Sequence, residues 1–189
     1  MIELYFKPHG EQIMREKIKE LLPEIEEIKD PGLRDKTYKV YERALSLGGW
    51  KPEDMGRIPF TLLIPDCKIS FATHVRGVTG VALEAAKVLE KVYGGKIPIH
   101  RDHLLAGALC HDVGKLLEYK EEGGKFVKSK SGNYLRHPFS GANLCFEAGM
   151  PDEVTHIVAV HAKEGDGGKR SPEAIILHHA DFMNFETLH

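Results

Sequence analysis

Cysteine is scarce in this chain, and the three present, Cys67, Cys110 and Cys145, are odd in number and lack any CxxC spacing. That argues against a disulfide framework or a thiolate zinc knuckle and favours a reducing compartment. Long apolar runs are missing too: none approaches the ~18 residues of a membrane span, and no secretory signal pattern is read at Met1–Gly10. Neither sign of charge dominates. The 26 Lys and Arg stand against 28 Asp and Glu, a net charge of −2, which argues against general nucleic-acid binding. Only Gln12 and three asparagines (Asn133, Asn143, Asn184) accompany abundant Glu and Lys, as expected of a protein from a hot environment. The remainder, 42% hydrophobic and 29% charged over 189 residues, suits one domain with a substantial core. A soluble, cytoplasmic enzyme without membrane attachment is expected.

Glycine and proline punctuate an otherwise helical pattern. A charged helix is expected over about 11–29, kinked or split at Pro23 and ending at the turn Asp30-Pro31-Gly32. A second runs over about 33–47, before Gly48-Gly49. KPEDMGRIPFTLLIPDC holds three prolines and one short apolar run, FTLLIP, and reads as a packed connector. A helix from Ser70 to Tyr93 stops at Gly94-Gly95; the next opens near Arg101, with Asp102 in its first turn, and stops at Gly114. EYKEEGGKFVKS reads as a short hairpin turning at Gly123-Gly124. Pro138, Pro151 and Pro172 each fall near the first position of a helix. The expected fold is all-α, a compact helical bundle in a single domain over residues 1–189. Residues 1–66 form an N-terminal helical extension and 67–189 the core, with one short β-hairpin.

The densest chemistry lies in HDVGK, residues 111–115. His111 and Asp112 end an apolar helical stretch that contains Leu104, Leu105, Ala108 and Leu109. Burying an unpaired carboxylate costs several kcal/mol, whereas a divalent cation takes imidazole nitrogen and carboxylate oxygen together. A lone His-Asp pair would be weak support, because a helix C-terminus also welcomes a histidine. His74, however, shares a stripe with Phe71, Val78 and Val81, His161 shares one with Val154, Ile157 and Val158, and Asp181 one with Ala174 and Leu177. His137 belongs to the same company. Four helices would each carry a ligand-type residue on the core-facing stripe, which is costly in a structural core and natural for a metal site between helices.

In this order, His74, the pair His111-Asp112 and the distant Asp181 resemble the HD superfamily of metal-dependent phosphohydrolases. The match runs from about Ser70 to Phe185, and HDVGK is similar to the HDIG variant of the motif, with Val113 in place of isoleucine. The resemblance implies an HD-domain helical bundle. It also implies that His137 and His161 stand where two-metal members carry two extra histidines, so that Asp112 bridges two ions. His74, His111, Asp112 and Asp181 would then hold one, and His137, His161 and Asp112 the other. A single-metal alternative keeps the first four and leaves His137 at the start of its helix. Imidazole and carboxylate without thiolate suit two divalent transition metals (iron, manganese, cobalt, nickel or zinc), and four imidazoles disfavour magnesium alone.

Two such ions can hold a hydroxide at neutral pH and clamp phosphate oxygens for in-line attack. Asp112 and Lys115 are the expected catalytic residues. Lys115, just past Gly114, would bring its ammonium to a phosphate; the alternative is a lysine that complements a helix dipole. Arg136 and Lys130 are further candidates for positive charge at the mouth. The segment Lys163 to Arg170 reads either as a mobile lid or as a solvated connector. His178 is expected to be partly buried and satisfied, His100, His103 and His156 to lie at the surface, and His9 and His189 have no placement. GGK at Gly94 and at Gly123 lacks the spacing of a phosphate loop, and Ser140 and Cys145 lack a nucleophile elbow. The expected substrate is a small phosphomonoester or phosphodiester: a nucleotide, a cyclic nucleotide or a pterin-type cyclic phosphate. Two alternatives stand beside hydrolysis: a mixed-valence di-iron oxygenase with the same ligands, and a non-catalytic, metal-stabilised binding module.

Overall fold

The computed structural model describes residues 8–188, with side chains from Gln12 onward, so the side chains of His9 and His189 lie outside it. Helix α1 (Pro8–Leu21) stops short of Pro23, whose ring and missing N–H divide the segment, and a 3-10 turn follows at Pro23–Glu27. Helix α2 (Pro31–Gly48) corrects one expectation. Asp30-Pro31-Gly32 is not a free turn but the start of the helix: Asp30 Oδ1 accepts the Leu33 N–H at 2.9 Å and Pro31 fills the first position. Residues 49–70 are the packed connector, with a 3-10 turn at Pro52–Gly56 and one isolated bridge between Pro59 and Ser70. The connector buries Met55, Ile58 and Phe60.

Ser70 Oγ caps helix α3 (Phe71–Tyr93) by accepting the Thr73 N–H. Helix α4 (Arg101–Cys110) ends before the His-Asp pair rather than at Gly114. His111–Gly114 form a turn, and a single helical turn, α5 (Lys115–Glu118), follows. The expected hairpin is β1 (Tyr119–Glu122) against β2 (Lys125–Lys128), antiparallel. Three helices complete the described chain: α6 (His137–Glu147), α7 (Asp152–Val160) and α8 (Pro172–Glu186).

Helix α4 has almost no polar face, and α2, α3, α7 and α8 all pack on it. Its Gly107 permits the close approach of α7, since a Cβ there would meet Ile157 Cγ2 at 2.6 Å. One apolar cluster runs from Ile18 to Ala180, so the N-terminal helices share the core of the rest. Polar ties reinforce the union. The Tyr41 hydroxyl donates to the Leu109 carbonyl, Trp50 Nε1 donates to the Leu116 carbonyl at 2.8 Å, and Asp102 accepts the Asp30 N–H at 2.8 Å. Leu109 and Leu116 flank the His111–Gly114 turn, so α2 and the residues just after it hold both shoulders of the motif. Gly114 itself has an ordinary φ of −62°. It is needed for proximity: a Cβ would lie 2.2 Å from the His137 carbonyl oxygen and 2.6 Å from Ser140 Oγ. No described helix is long and apolar enough to cross a membrane.

Candidate metal centre

Five elements deliver the six ligand-type side chains to one place. His74 lies in the first turn of α3, His111 and Asp112 in the turn after α4, His137 opens α6, His161 follows the last residue of α7, and Asp181 sits within α8. The first five are buried, and the Asp181 carboxylate is 15% exposed. Asp112 lies at the centre, with its two oxygens facing different partners. Oδ2 is 3.4 Å from both His74 Nε2 and His111 Nε2; Oδ1 is 3.3 Å from His137 Nε2 and 3.8 Å from His161 Nε2. Asp181 Oδ1 joins the first group, 3.1 Å from His74 Nε2 and 3.8 Å from His111 Nε2. Two sets are close enough to share an ion: His74, His111 and Asp112, and Asp112, His137 and His161.

The histidine tautomers follow from acceptors that cannot donate. His111 Nδ1 is 2.6 Å from the Ala108 carbonyl and His161 Nδ1 is 2.7 Å from the Val158 carbonyl, so each must carry its proton there. His137 Nδ1 lies 3.0 Å from the Glu118 carboxylate and is fixed in the same way. Each ring therefore presents an Nε2 lone pair inward. His137 Nε2 and His161 Nε2 lie only 3.3 Å apart, a contact between two acceptors that calls for a cation. Burial pushes the His137 pKa down to about 4, so its ring is neutral near pH 7 and cannot supply a proton itself. His111 Nε2 and Asp112 Oδ1, both buried, have no hydrogen-bond partner among the described residues. Buried orphans of this kind cost about 1–3 kcal/mol each, and a metal removes that cost. The residues present thus fit divalent metal.

The surrounding charges fit as well. Burial pushes Asp112 up, yet Lys115 and His111 hold it well below the usual carboxylate range. Burial pushes Asp181 up as well, but the His74 hydrogen bond together with His111 and His161 holds it below the usual carboxylate range. Lys115 is buried, and its Nζ donates to Asp112 Oδ2 at 2.6 Å and to the Phe60 carbonyl at 2.7 Å. It opens α5, the end where a helix dipole disfavours a cation, so the geometry runs against the dipole alternative. The Phe60 ring stacks on His74, centroids 4.2 Å apart.

Sequence reasoning missed Glu118, Phe60, Lys128, Phe182 and Phe185. Glu118 is 2% exposed; its Oε2 accepts both the His137 N–H and Nδ1–H, and its Oε1 accepts from Arg136 Nη1 at 2.7 Å. Arg136, a candidate for positive charge at the mouth, is paired with Glu118 and with Glu164. A cavity of about 320 Å³ opens beside the centre, and Lys115, His137, Asp181 and Arg136 are on its wall. Lys130 is exposed and does not line it; Lys128, at the end of β2, does. Sequence spacing carries no signal for that difference, which depends on where the strand ends. The segment from Lys163 is anchored rather than free: Arg170 donates to the Val160 and Ala162 carbonyls, and Gly165 packs on Val160. His178, as expected, is partly buried and satisfied, donating from Nδ1 to the His161 carbonyl. His100 is exposed, whereas His103 and His156 are half-buried.

A helical bundle that draws a His, a His-Asp pair and a distant Asp into one buried cluster defines the HD domain, and the family's sequence profile matches residues 71–183. The chain belongs to the HD domain family. It is similar to the dihydroneopterin 2',3'-cyclic phosphate phosphodiesterase of Methanocaldococcus jannaschii, at 39% identity over 112 residues. That stretch covers 57% of this chain and 43% of the relative, so less than half of the relative's length is matched. No solved structure matches the chain significantly.

Proposed function

We propose that this chain is a metal-dependent phosphohydrolase that opens a small-molecule phosphodiester, a cyclic phosphate foremost, with two divalent transition ions. The observation that carries the reading is Asp112, whose two oxygens face two separate groups of Nε2 atoms. His74, His111, Asp112 and Asp181 would hold one ion and His137, His161 and Asp112 the other. When bound, the metals supply Lewis acidity toward phosphoryl oxygens and lower the pKa of a water. The protein's own residues do the rest. Lys115, fixed by Phe60 and Asp112, keeps a positive charge on the cavity wall where negative charge builds up on phosphorus oxygens. Glu118 holds the His137 ring and tautomer, and Arg136 adds charge beside it.

The matched relative is named for cyclic phosphate cleavage, which favours hydrolysis over the di-iron oxygenase reading with the same ligands. The buried ammonium beside the cluster fits catalysis better than a non-catalytic module. Free Cys67, Cys110 and Cys145 are consistent with a reducing, cytoplasmic setting. The test is hydrolysis of bis(p-nitrophenyl) phosphate and of 2',3'-cyclic nucleotides by protein reconstituted with iron or manganese, with metal content measured in parallel. Equal turnover in air and under nitrogen, abolished by chelator, is expected. Turnover that requires dioxygen, or none at full metal loading, would overturn the reading.

A further inference from the structure

Resting on the phosphodiesterase reading, we infer that the cavity beside the metal centre binds a flat heteroaromatic ring carried by the ester, and that Phe182 and Phe185 are the residues that recognise it. Helix α8 delivers ligand and wall together, for Asp181, Phe182 and Phe185 fall within little more than one turn and all three line the cavity. Both phenylalanines are only half-buried. Phe60 couples this wall to the chemistry: one face stacks on His74, Lys115 Nζ is 5.5 Å from its centroid, and the Phe185 ring meets it edge-on at 6.2 Å and 75°. Phe60 is 1% exposed and lies on the same wall, where it braces Phe185.

The shape and charge of the space select the class. A volume of about 320 Å³ is at the small end of ligand sites and has room for a bicyclic ring and a sugar-like linker. An entirely apolar guest is disfavoured because Arg136, Glu164, Lys128 and Lys163 line the same cavity. A nitrogen heterocycle has apolar faces for the phenylalanines and polar edges for these groups. Stacking on an aromatic side chain is worth roughly tenfold in affinity per ring.

The deciding experiment compares glycerol 1,2-cyclic phosphate with a panel of 2',3'-cyclic nucleotides and neopterin 2',3'-cyclic phosphate, on wild type, Phe182→Leu and Phe185→Leu. Leucine keeps apolar volume without a flat face. At least one ring-bearing ester is expected to exceed the glycerol ester by about tenfold or more in kcat/KM, mainly through KM. Each leucine variant should raise that KM about tenfold and change kcat/KM for the glycerol ester by a much smaller factor. Calorimetric titration of the corresponding monophosphates against metal-loaded protein gives a readout independent of turnover, with the same tenfold loss expected in the variants. Equal use of the glycerol ester, or unchanged ring affinity in both variants, would overturn the ring site while leaving hydrolysis intact. Absence of turnover with every ester would overturn the hydrolase reading instead, and calorimetry would still decide the ring site.

Discussion

Glu118 grips His137 at two points, accepting its backbone N–H at 2.9 Å and its ring Nδ1–H at 3.0 Å. The carboxylate thereby fixes both the place where α6 begins and the direction in which the imidazole lone pair points. Burial pushes Glu118 up, but His137 and Arg136 hold it below the usual glutamate range, so it remains charged. Glu118→Ala should weaken metal binding by about 10- to 100-fold at the His137 side, and Glu118→Gln, which keeps an acceptor, should weaken it less. Metal titration followed by competition with a chromogenic chelator measures both. Wild-type affinity in both variants would show that His137 is positioned without Glu118.

Removing Asp112 and removing His137 should differ in kind. Asp112 faces both nitrogen groups, so Asp112→Ala is expected to lose all tightly held metal and all hydrolysis. His137→Ala should keep about one equivalent, bound by His74, His111, Asp112 and Asp181. Elemental analysis after gel filtration separates the cases, and two equivalents in His137→Ala would remove His137 from the ligand set.

Lys115→Met should keep the metal content while lowering kcat/KM by roughly one to three orders of magnitude, the scale of losing one charge-stabilising donor. Metal-free protein should also lose stability, because Asp112 then has no ammonium beside it and the Phe60 carbonyl loses its donor. Turnover at the wild-type level, with only a lowered Tm, would reduce Lys115 to a structural ion pair.

Gly114→Ala tests the packing beneath the site. The new methyl would overlap the His137 carbonyl oxygen and Ser140 Oγ, forcing the start of α6 outward. Overpacking of this sort costs about 1–3 kcal/mol, and the displacement should reach His137. Lower Tm together with a weakened second metal equivalent is expected; a normal Tm would mean that α6 yields without cost.

Most of the candidate ligands were legible because they sit on periodic apolar segments, where a polar side chain is conspicuous. His74 with Phe71, Val78 and Val81, and His161 after Val154, Ile157 and Val158, are of this kind; all of those neighbours are buried except Val81, which is half-buried. Helix limits set by proline and glycine were legible for the same local reasons. Glu118 was not, since a glutamate opening EYKEE looks like part of a solvated hairpin and only tertiary packing buries it. Nor was the role of Asp30, because Asp-Pro-Gly suits a turn and a helix start equally until the Leu33 N–H is seen on its carboxylate. Lys128 and Arg136 depended on long-range placement, which periodicity does not encode. Phe182 and Phe185 were overlooked because hydrophobic residues beside a core helix call for no explanation from sequence alone.

The ties from Tyr41, Trp50 and Phe60 have an evolutionary reading. All three residues precede position 71, where the shared family pattern begins, yet they hold Leu109, Leu116 and Lys115, the backbone and the ammonium that frame the motif. The candidate ligands lie inside the family pattern and these supports lie outside it, although in the fold they touch. Grafting residues 71–183 onto a different leader would carry over the ligand pattern and lose the acceptor that sets the height of Lys115.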